Sequence, residues 1–307
     1  MQQISKEKFQ IVGAHASDAE KISKPSLSFW KDVIIRFRKN KLAMFGIVLL
    51  ILLVFMAIFG PYMTKFDYAT NNLMNTNKAP SGTHWFGTDD LGRDMFTRTW
   101  EGARISLFIG VMAAFVDFII GVTWGGIAGF KGGRIDNIMM RIADILAGVP
   151  YLLLVILLMV VLGANLTTMI IAMTITGWIN MSRIVRGEVL SLKNQEYVLA
   201  ARTLGANVPR IMIRHLIPNA MGSILVTMTL TIPNAIFTEA FLSFLGLGLT
   251  PPLASWGTMA NDGLASIQYY PWRLFFPAIL IALTIFAFNV IGDGLRDALD
   301  PRLRNKG

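Results

Sequence analysis

Cysteine is absent from this 307-residue chain, and charge is scarce: only 15% of residues are Asp, Glu, Lys or Arg. A soluble domain carries about 25%. Without cysteine there is no disulfide framework, thiolate metal site or cysteine nucleophile. A phosphate-binding loop is missing too. No Gly-x-x-x-x-Gly-Lys-Ser/Thr stretch occurs, and GFKGGR at 129–134 does not fit that pattern. A chain lacking that cradle and its lysine is not expected to bind or hydrolyse ATP. His84 and His215 are isolated, and no carboxylate pair is spaced for acid–base chemistry. What is abundant is apolar: 54% of the chain is hydrophobic, with 17 Met and 20 Phe. Disorder, a secreted mini-protein and a zinc module are excluded, which leaves a membrane protein.

A helix crossing about 30 Å of hydrocarbon needs about 20 mostly apolar residues. Leu42 to Gly60, LAMFGIVLLILLVFMAIFG, carries no charge and is closed by Pro61. Five further spans are expected at about 105–130, 142–162, 166–181, 220–245 and 274–292. The fold class is therefore all-α and polytopic, with six transmembrane helices. Asp117, Asp144 and Glu239 are the acids within spans. Arg141 stands three residues before Asp144, so an i,i+3 pair is expected there.

Six spans place both termini on one side. If that side is cytoplasmic, 22 of the 28 basic residues fall on it and 6 on the other. This is the positive-inside bias. It accounts for the net charge of +9 without nucleic acid. Residues 1–41 form a cytoplasmic tail. Within it Phe29-Trp30, Val33-Ile34 and Phe37 recur among basic residues, which suits an interfacial amphipathic helix and equally a snorkelling flank of the first span. Residues 1–27 show no periodicity. Residues 61–103 form a long outer loop, and 297–307 a second cytoplasmic tail.

Long loops are uncommon without a role. The inner loop, 182–219, has helix formers from Val189 to Leu204. Gly205 fits the left-handed position that ends a helix, Pro209 fits the first turn of a second helix, and Pro218 is expected to break the chain before the fifth span. A helix-turn-helix for DNA has this outline, but the tether between two spans argues against it. An amphipathic hairpin on the bilayer is the plainer alternative. The small pair Ala200-Ala201 beside Gly205 favours docking of another protein.

The stretch Ala200-Ala201-Arg202-Thr203-Leu204-Gly205, with Pro218 thirteen residues after the glycine, resembles the EAA loop of ABC importer permeases. Leu199 stands at that family's Glu position, Glu196 lies three residues earlier, and His215 and Ile217 replace the Ile and Leu before its Pro. Two outer stretches are similar to the C-type subunit of dipeptide and oligopeptide permeases. One is His84-Trp85-Phe86-Gly87-Thr88-Asp89-Asp90-Leu91-Gly92-Arg93-Asp94. The other is Ser243-Phe244-Leu245-Gly246-Leu247-Gly248 with Ser255-Trp256-Gly257.

The resemblance implies a type I ABC importer permease domain over 104–296 in a bacterial inner or plasma membrane. It implies a homologous B-type permease partner, two ATPase subunits holding ATP and magnesium, and an extracytoplasmic peptide-binding protein. No cofactor is expected in this chain. Glu196, Ala200, Ala201, Arg202, Gly205 and Pro218 are the expected ATPase-docking residues. Asp89, Asp90, Arg93, Asp94 and Trp256 are candidates for binding-protein contact.

Asp89, Asp90 and Asp94 do not fit a calcium loop, and Arg93 stands among them. Asp89 or Asp90 leading a turn through Gly92 is the other reading. Asp117, Asn234 after Pro233, and Glu239 are candidates for the translocation path or a subunit interface, with partners inside the bundle as the alternative. Gly121, Gly125 and Gly129 share one helix face and permit close helix packing. An ion-coupled transporter using Glu239 or Asp117, a permease for nickel or another small solute, and a membrane-embedded scaffold are the competing functional readings.

Overall fold

The structure is a computed structural model that describes residues 29–300. The expected irregular tail over 1–27, and residues 301–307 of the expected C-terminal tail, lie outside the described residues. Helices are the regular structure of the described residues, apart from an isolated bridge between Thr88 and Asp94 in the irregular stretch 63–94.

Two helices open it: α1, Phe29–Lys39, and α2, Lys41–Phe59. Asn40 separates them, its Oδ1 accepting from the N–H groups of Leu42 and Ala43 at 3.1 Å each. A side-chain oxygen at this position satisfies donors that the first turn leaves unpaired. α1 turns Val33 inward, leaves Phe29, Trp30 and Ile34 exposed, and pairs Asp32 with Arg36. α2 is apolar all round and exposes most of its side chains, as a helix facing lipid does.

The second long helix, α3, runs Met95–Lys131. It starts well before the expected residue 105 because Asp94 caps it, Oδ2 accepting from the Thr97 N–H at 2.9 Å. The span expected at 142–162 is two helices, α4 (Gly133–Ala147) and α5 (Tyr151–Leu162), bent 75° apart. Pro150 explains the break. Its own ψ is 117°, outside the helical range, and its ring disfavours a helical conformation for Val149 before it. With 12 residues, α5 reaches about 18 Å and cannot span alone. Asp144 on α4 pairs with Arg183 at 2.9 Å, across to the next helix, and so departs from the expected pairing with Arg141.

α6 runs Leu166–Leu192, capped by Asn165. The helix expected over Val189–Leu204 is divided: α6 ends at Leu192, a turn follows, and α7 covers Glu196–Thr203. Next come α8, Val208–Ile211, a π-turn over Met212–Leu216, and α9, Ile217–Leu242. Pro218 does not break this run, contrary to the expectation. It sits in the first turn of α9, where its missing N–H is not needed, and the Ile217 N–H reaches back to Met212 O across the wide turn. Pro233 lies inside α9, which continues through it. A second π-turn spans Ser243–Leu247; α10 covers Trp256–Leu264 and α11 Trp272–Leu299. Five helices are long and apolar enough to cross a membrane, and a sixth span is reached if the bent α4–α5 pair counts as one.

The tightest seam joins α3 to α6. A Cβ built on Gly121 would strike Met181, one on Gly125 would strike the Ser182 carbonyl, and one on Gly129 would lie 2.8 Å from Arg186 O. The three glycines therefore serve packing inside this chain, bringing two backbones together as only small residues allow. Buried methionines fill the remaining gaps: Met159, Met169, Met173 and Met181 are all under 3% exposed.

Gly125→Ala is expected to cost about 1–3 kcal/mol by overpacking this seam. A Cβ on Gly187, also on α6, meets nothing within 4 Å. Gly187→Ala is therefore expected to be neutral or stabilising by about 0.5–1 kcal/mol. Thermal unfolding of the two variants in detergent compares them directly.

Candidate functional site

Along α9, Ser223, Thr227, Thr231, Asn234 and Thr238 recur every three or four residues and so share one face. The threonine hydroxyls donate to the preceding turn: Thr227 to Ser223 O at 2.7 Å, Thr231 to Thr227 O at 2.9 Å, Thr238 to Asn234 O at 2.8 Å. This satisfies them in an apolar surrounding. The face lines two adjoining cavities. One, about 530 Å³, lies at the basic end and is bordered by Ser223, Thr227 and Arg296. The other, about 230 Å³, is bordered by Asp117, Tyr151, Gly177 and Thr238. Asn180, Thr231 and Asn234 border both. The two cavities thus adjoin as a groove along this face, its walls mixing these polar side chains with apolar ones.

Asp117 and Asn234, expected separately, thus meet in one place. Gly177 makes room for the acid: a Cβ there would stand 2.5 Å from Asp117 Oδ2. Asn180 and the hydroxyl stripe were not anticipated. Their signal was present as polar residues at helical period within an apolar run, but single neutral side chains carry less weight than ionisable ones.

Glu239 does not line either cavity. It is fully buried. Oε1 accepts from Ser243 Oγ at 2.9 Å and Ser255 Oγ at 2.5 Å, and Oε2 from Ser106 Oγ at 3.0 Å. Ser255 in turn caps α10 in a reciprocal capping box with Thr258. Glu239 therefore fastens α3, α9 and α10 together.

At the end opposite the basic loops, the acidic stretch folds on itself. Asp89 Oδ1 accepts from the Leu91 and Arg93 N–H groups, which makes Asp89 the leader of the turn through Gly92. Arg93 Nε donates to Asp89 Oδ2 at 2.6 Å, and Arg98 Nε lies 3.5 Å from that oxygen. Asp94 Oδ1 bonds His84 Nδ1 at 2.8 Å. Trp256 donates from Nε1 to Thr99 O at 2.9 Å. Asp89, Arg93, Asp94 and Trp256 are all buried in the chain. Their side chains bond within the chain and hold this end together. Asp90 remains exposed, bound at 3.1 Å to the buried Arg273. Nearby, Asp67 Oδ2 accepts from the Thr70 hydroxyl and from the Ala69 and Thr70 N–H groups. These bonds, the hydroxyl first, hold its carboxyl below the usual range.

The basic end presents α7. It closes in a Schellman arrangement: Ala206 N–H to Ala201 O and Gly205 N–H to Arg202 O, each at 3.0 Å, with Gly205 at φ 82°. Val198 alone is buried and anchors the helix; Glu196, Ala200, Arg202 and Gly205 are exposed, Ala201 is half-buried, and Leu204 is 88% exposed. The Arg202 guanidinium lies 5.2 Å from the centre of the Phe130 ring at the end of α3. Lys193 Nζ donates to Gly129 O at 2.8 Å. Arg186 holds Asp136 through both guanidinium nitrogens, at 2.5 and 2.7 Å. Pro218 is exposed but belongs to α9, outside the α7 surface.

Residues 121–305 match the family described as binding-protein-dependent transport system inner membrane component. The chain belongs to this family. Residues 28–80 also match the N-terminal transmembrane domain of oligopeptide transport permease C. An oligopeptide transport system permease protein of Bacillus subtilis is 68% identical over 99% of this chain and 100% of its own length. A dipeptide transport system permease protein of the same organism is 60% identical over 94% of this chain and 90% of its own. The oligopeptide permease protein of Escherichia coli K12 is 42% identical over 93% and 95%. A chain of the inward-facing MetNI methionine ABC transporter shares the fold, with TM-score 0.53 at 18% identity over 65% of this chain and 94% of that one. This membrane family does not favour an ion-coupled transporter or a passive scaffold.

Glu239→Ala would leave three buried serine hydroxyls without their acceptor and open a cavity, at an expected cost of about 2–4 kcal/mol. Glu239→Gln retains one acceptor oxygen and should lose less than half of that. Thermal unfolding of the purified transporter reads both.

Proposed function

We propose that this chain is the permease subunit of an ATP-driven importer of oligopeptides or dipeptides in a bacterial cell membrane, with both termini cytoplasmic. The observation that carries the reading is the groove. It runs from Asp117 to Arg296 along α9 and ends at the face that presents α7. The names of the full-length relatives supply the peptide.

In this reading a binding protein delivers peptide at the Asp90 end. The peptide passes between this groove and a homologous B-type permease. Two ATPase subunits bind ATP and magnesium, and one of them holds α7. Because Val198, Lys193 and Arg202 tie α7 to α3 and α6, a push on α7 moves those helices as a body. Such switching is between discrete packed arrangements.

Two measurements test this. ATPase subunits should co-purify with the chain and hydrolyse ATP faster when peptide-loaded binding protein is added; an isolated chain with no such partner would overturn the reading. Gly205→Leu forces a side chain into a left-handed conformation, at a cost of about 1–2 kcal/mol to the turn. It should leave the protein in the membrane while cutting ATP-driven peptide uptake by about tenfold or more. Normal uptake would remove α7 from the coupling route.

A further inference from the structure

The acids of this bundle differ in one respect. Glu239 is matched by three hydroxyl donors, and Asp136 and Asp144 by arginines. Asp117 is 5% exposed, and its Oδ1 is buried without a hydrogen-bond partner among the described residues. Buried polar atoms are nearly always satisfied, so an unpaired one calls for an explanation. No basic side chain borders its cavity. Arg296, the basic group of the groove, stands in the larger cavity at the other end. The carboxylate therefore faces a space whose other polar groups are neutral: the Asn180 and Asn234 amides and the Thr231, Thr238 and Tyr151 hydroxyls. A carboxylate in the wall of such a cavity, ringed by neutral acceptors, matches the three donors of an ammonium group.

We infer that Asp117 is a cation-recognising site for the terminal ammonium group of a peptide in transit. The inference rests on the groove being the peptide path. The size of the cavity agrees. At about 230 Å³ it falls below the 300–1,000 Å³ of a site for a drug-sized ligand, so it holds one terminal residue. The adjoining 530 Å³ takes the residues that follow. Gly177 also borders the cavity and packs directly on the carboxylate, so that any side chain there would displace it.

The chain has no cysteine, so Thr231→Cys places a single thiol on the stretch that borders both cavities. In the purified, nucleotide-free transporter, labelling of this chain is followed with the cationic reagent aminoethyl methanethiosulfonate and the anionic sulfonatoethyl form. The cationic reagent should be preferred, and Asp117→Asn should lower that preference about tenfold, the range of a charged hydrogen bond. Trialanine should slow labelling and N-acetyl-trialanine should not, and Asp117→Asn should abolish the protection by trialanine. Unchanged anionic labelling in Asp117→Asn reports that the variant is folded. If that variant does not fold, methylammonium must slow cationic labelling with Asp117 in place, where equal sodium does not. Protection or charge preference that persists in Asp117→Asn overturns the cation site and leaves the path intact. Protection by N-acetyl-Ala-Lys-Ala in place of trialanine overturns the assignment to the peptide terminus. A thiol that neither reagent reaches and no peptide protects overturns the path itself.

Discussion

The close approach of α3 and α6 governs the rest of the molecule. Where Gly121, Gly125 and Gly129 meet Met181, Ser182 and Arg186, backbone touches backbone. Lipid tails are as apolar as leucine, so a membrane bundle gains little from hydrophobic burial between its helices and depends on packing of this kind. Everything functional is measured from this seam. One turn beyond Gly121, Gly177 on α6 faces Asp117 on α3, and Asn180 on α6 enters the groove. At the other end the seam closes with Lys193 on Gly129 and Arg202 beside Phe130, which fixes where α7 sits.

The acidic residues illustrate how context assigns roles to one chemistry. Glu239, Asp89 and Asp94 are buried, and each is surrounded by donors that the chain itself provides: serine hydroxyls, backbone N–H groups, guanidinium or imidazole nitrogens. A carboxylate so placed locks elements together, because removing either side leaves an unmatched partner. Asp117 has the same burial without the donors. No donor among the described residues matches its Oδ1.

The two ends of the bundle are built by opposite means. The Asp90 end is tied by charge and aromatic contact, with Phe86 stacked on Phe276 at 3.8 Å and Trp272 Nε1 reaching Thr88 O at 3.4 Å. It behaves as a fixed cap. The basic end projects a short helix with one buried valine and a glycine-closed turn, tied to the bundle by Lys193 on Gly129 O and Arg202 beside Phe130. A helix with so little of its own core takes its position from what it touches, which suits an element that receives a push.

The long apolar helices and the glycine turn after Thr203 were legible in the residues. They follow from local rules: apolar length and left-handed glycine. Pro150 and Pro218 show where those rules stop. Both are prolines near a span boundary, yet one breaks its helix and the other rides through a π-turn, because the neighbouring packing chooses which cost is borne. The roles of Asp117, Asn234, Glu239 and Trp256 were likewise undecided by sequence. A buried acid becomes a fastening or a site according to whether donors from distant segments arrive beside it. Ser106, Ser243 and Ser255 converge on Glu239 from three parts of the chain, and no donor among the described residues reaches the Oδ1 of Asp117. That meeting of distant residues is a property of the tertiary structure alone.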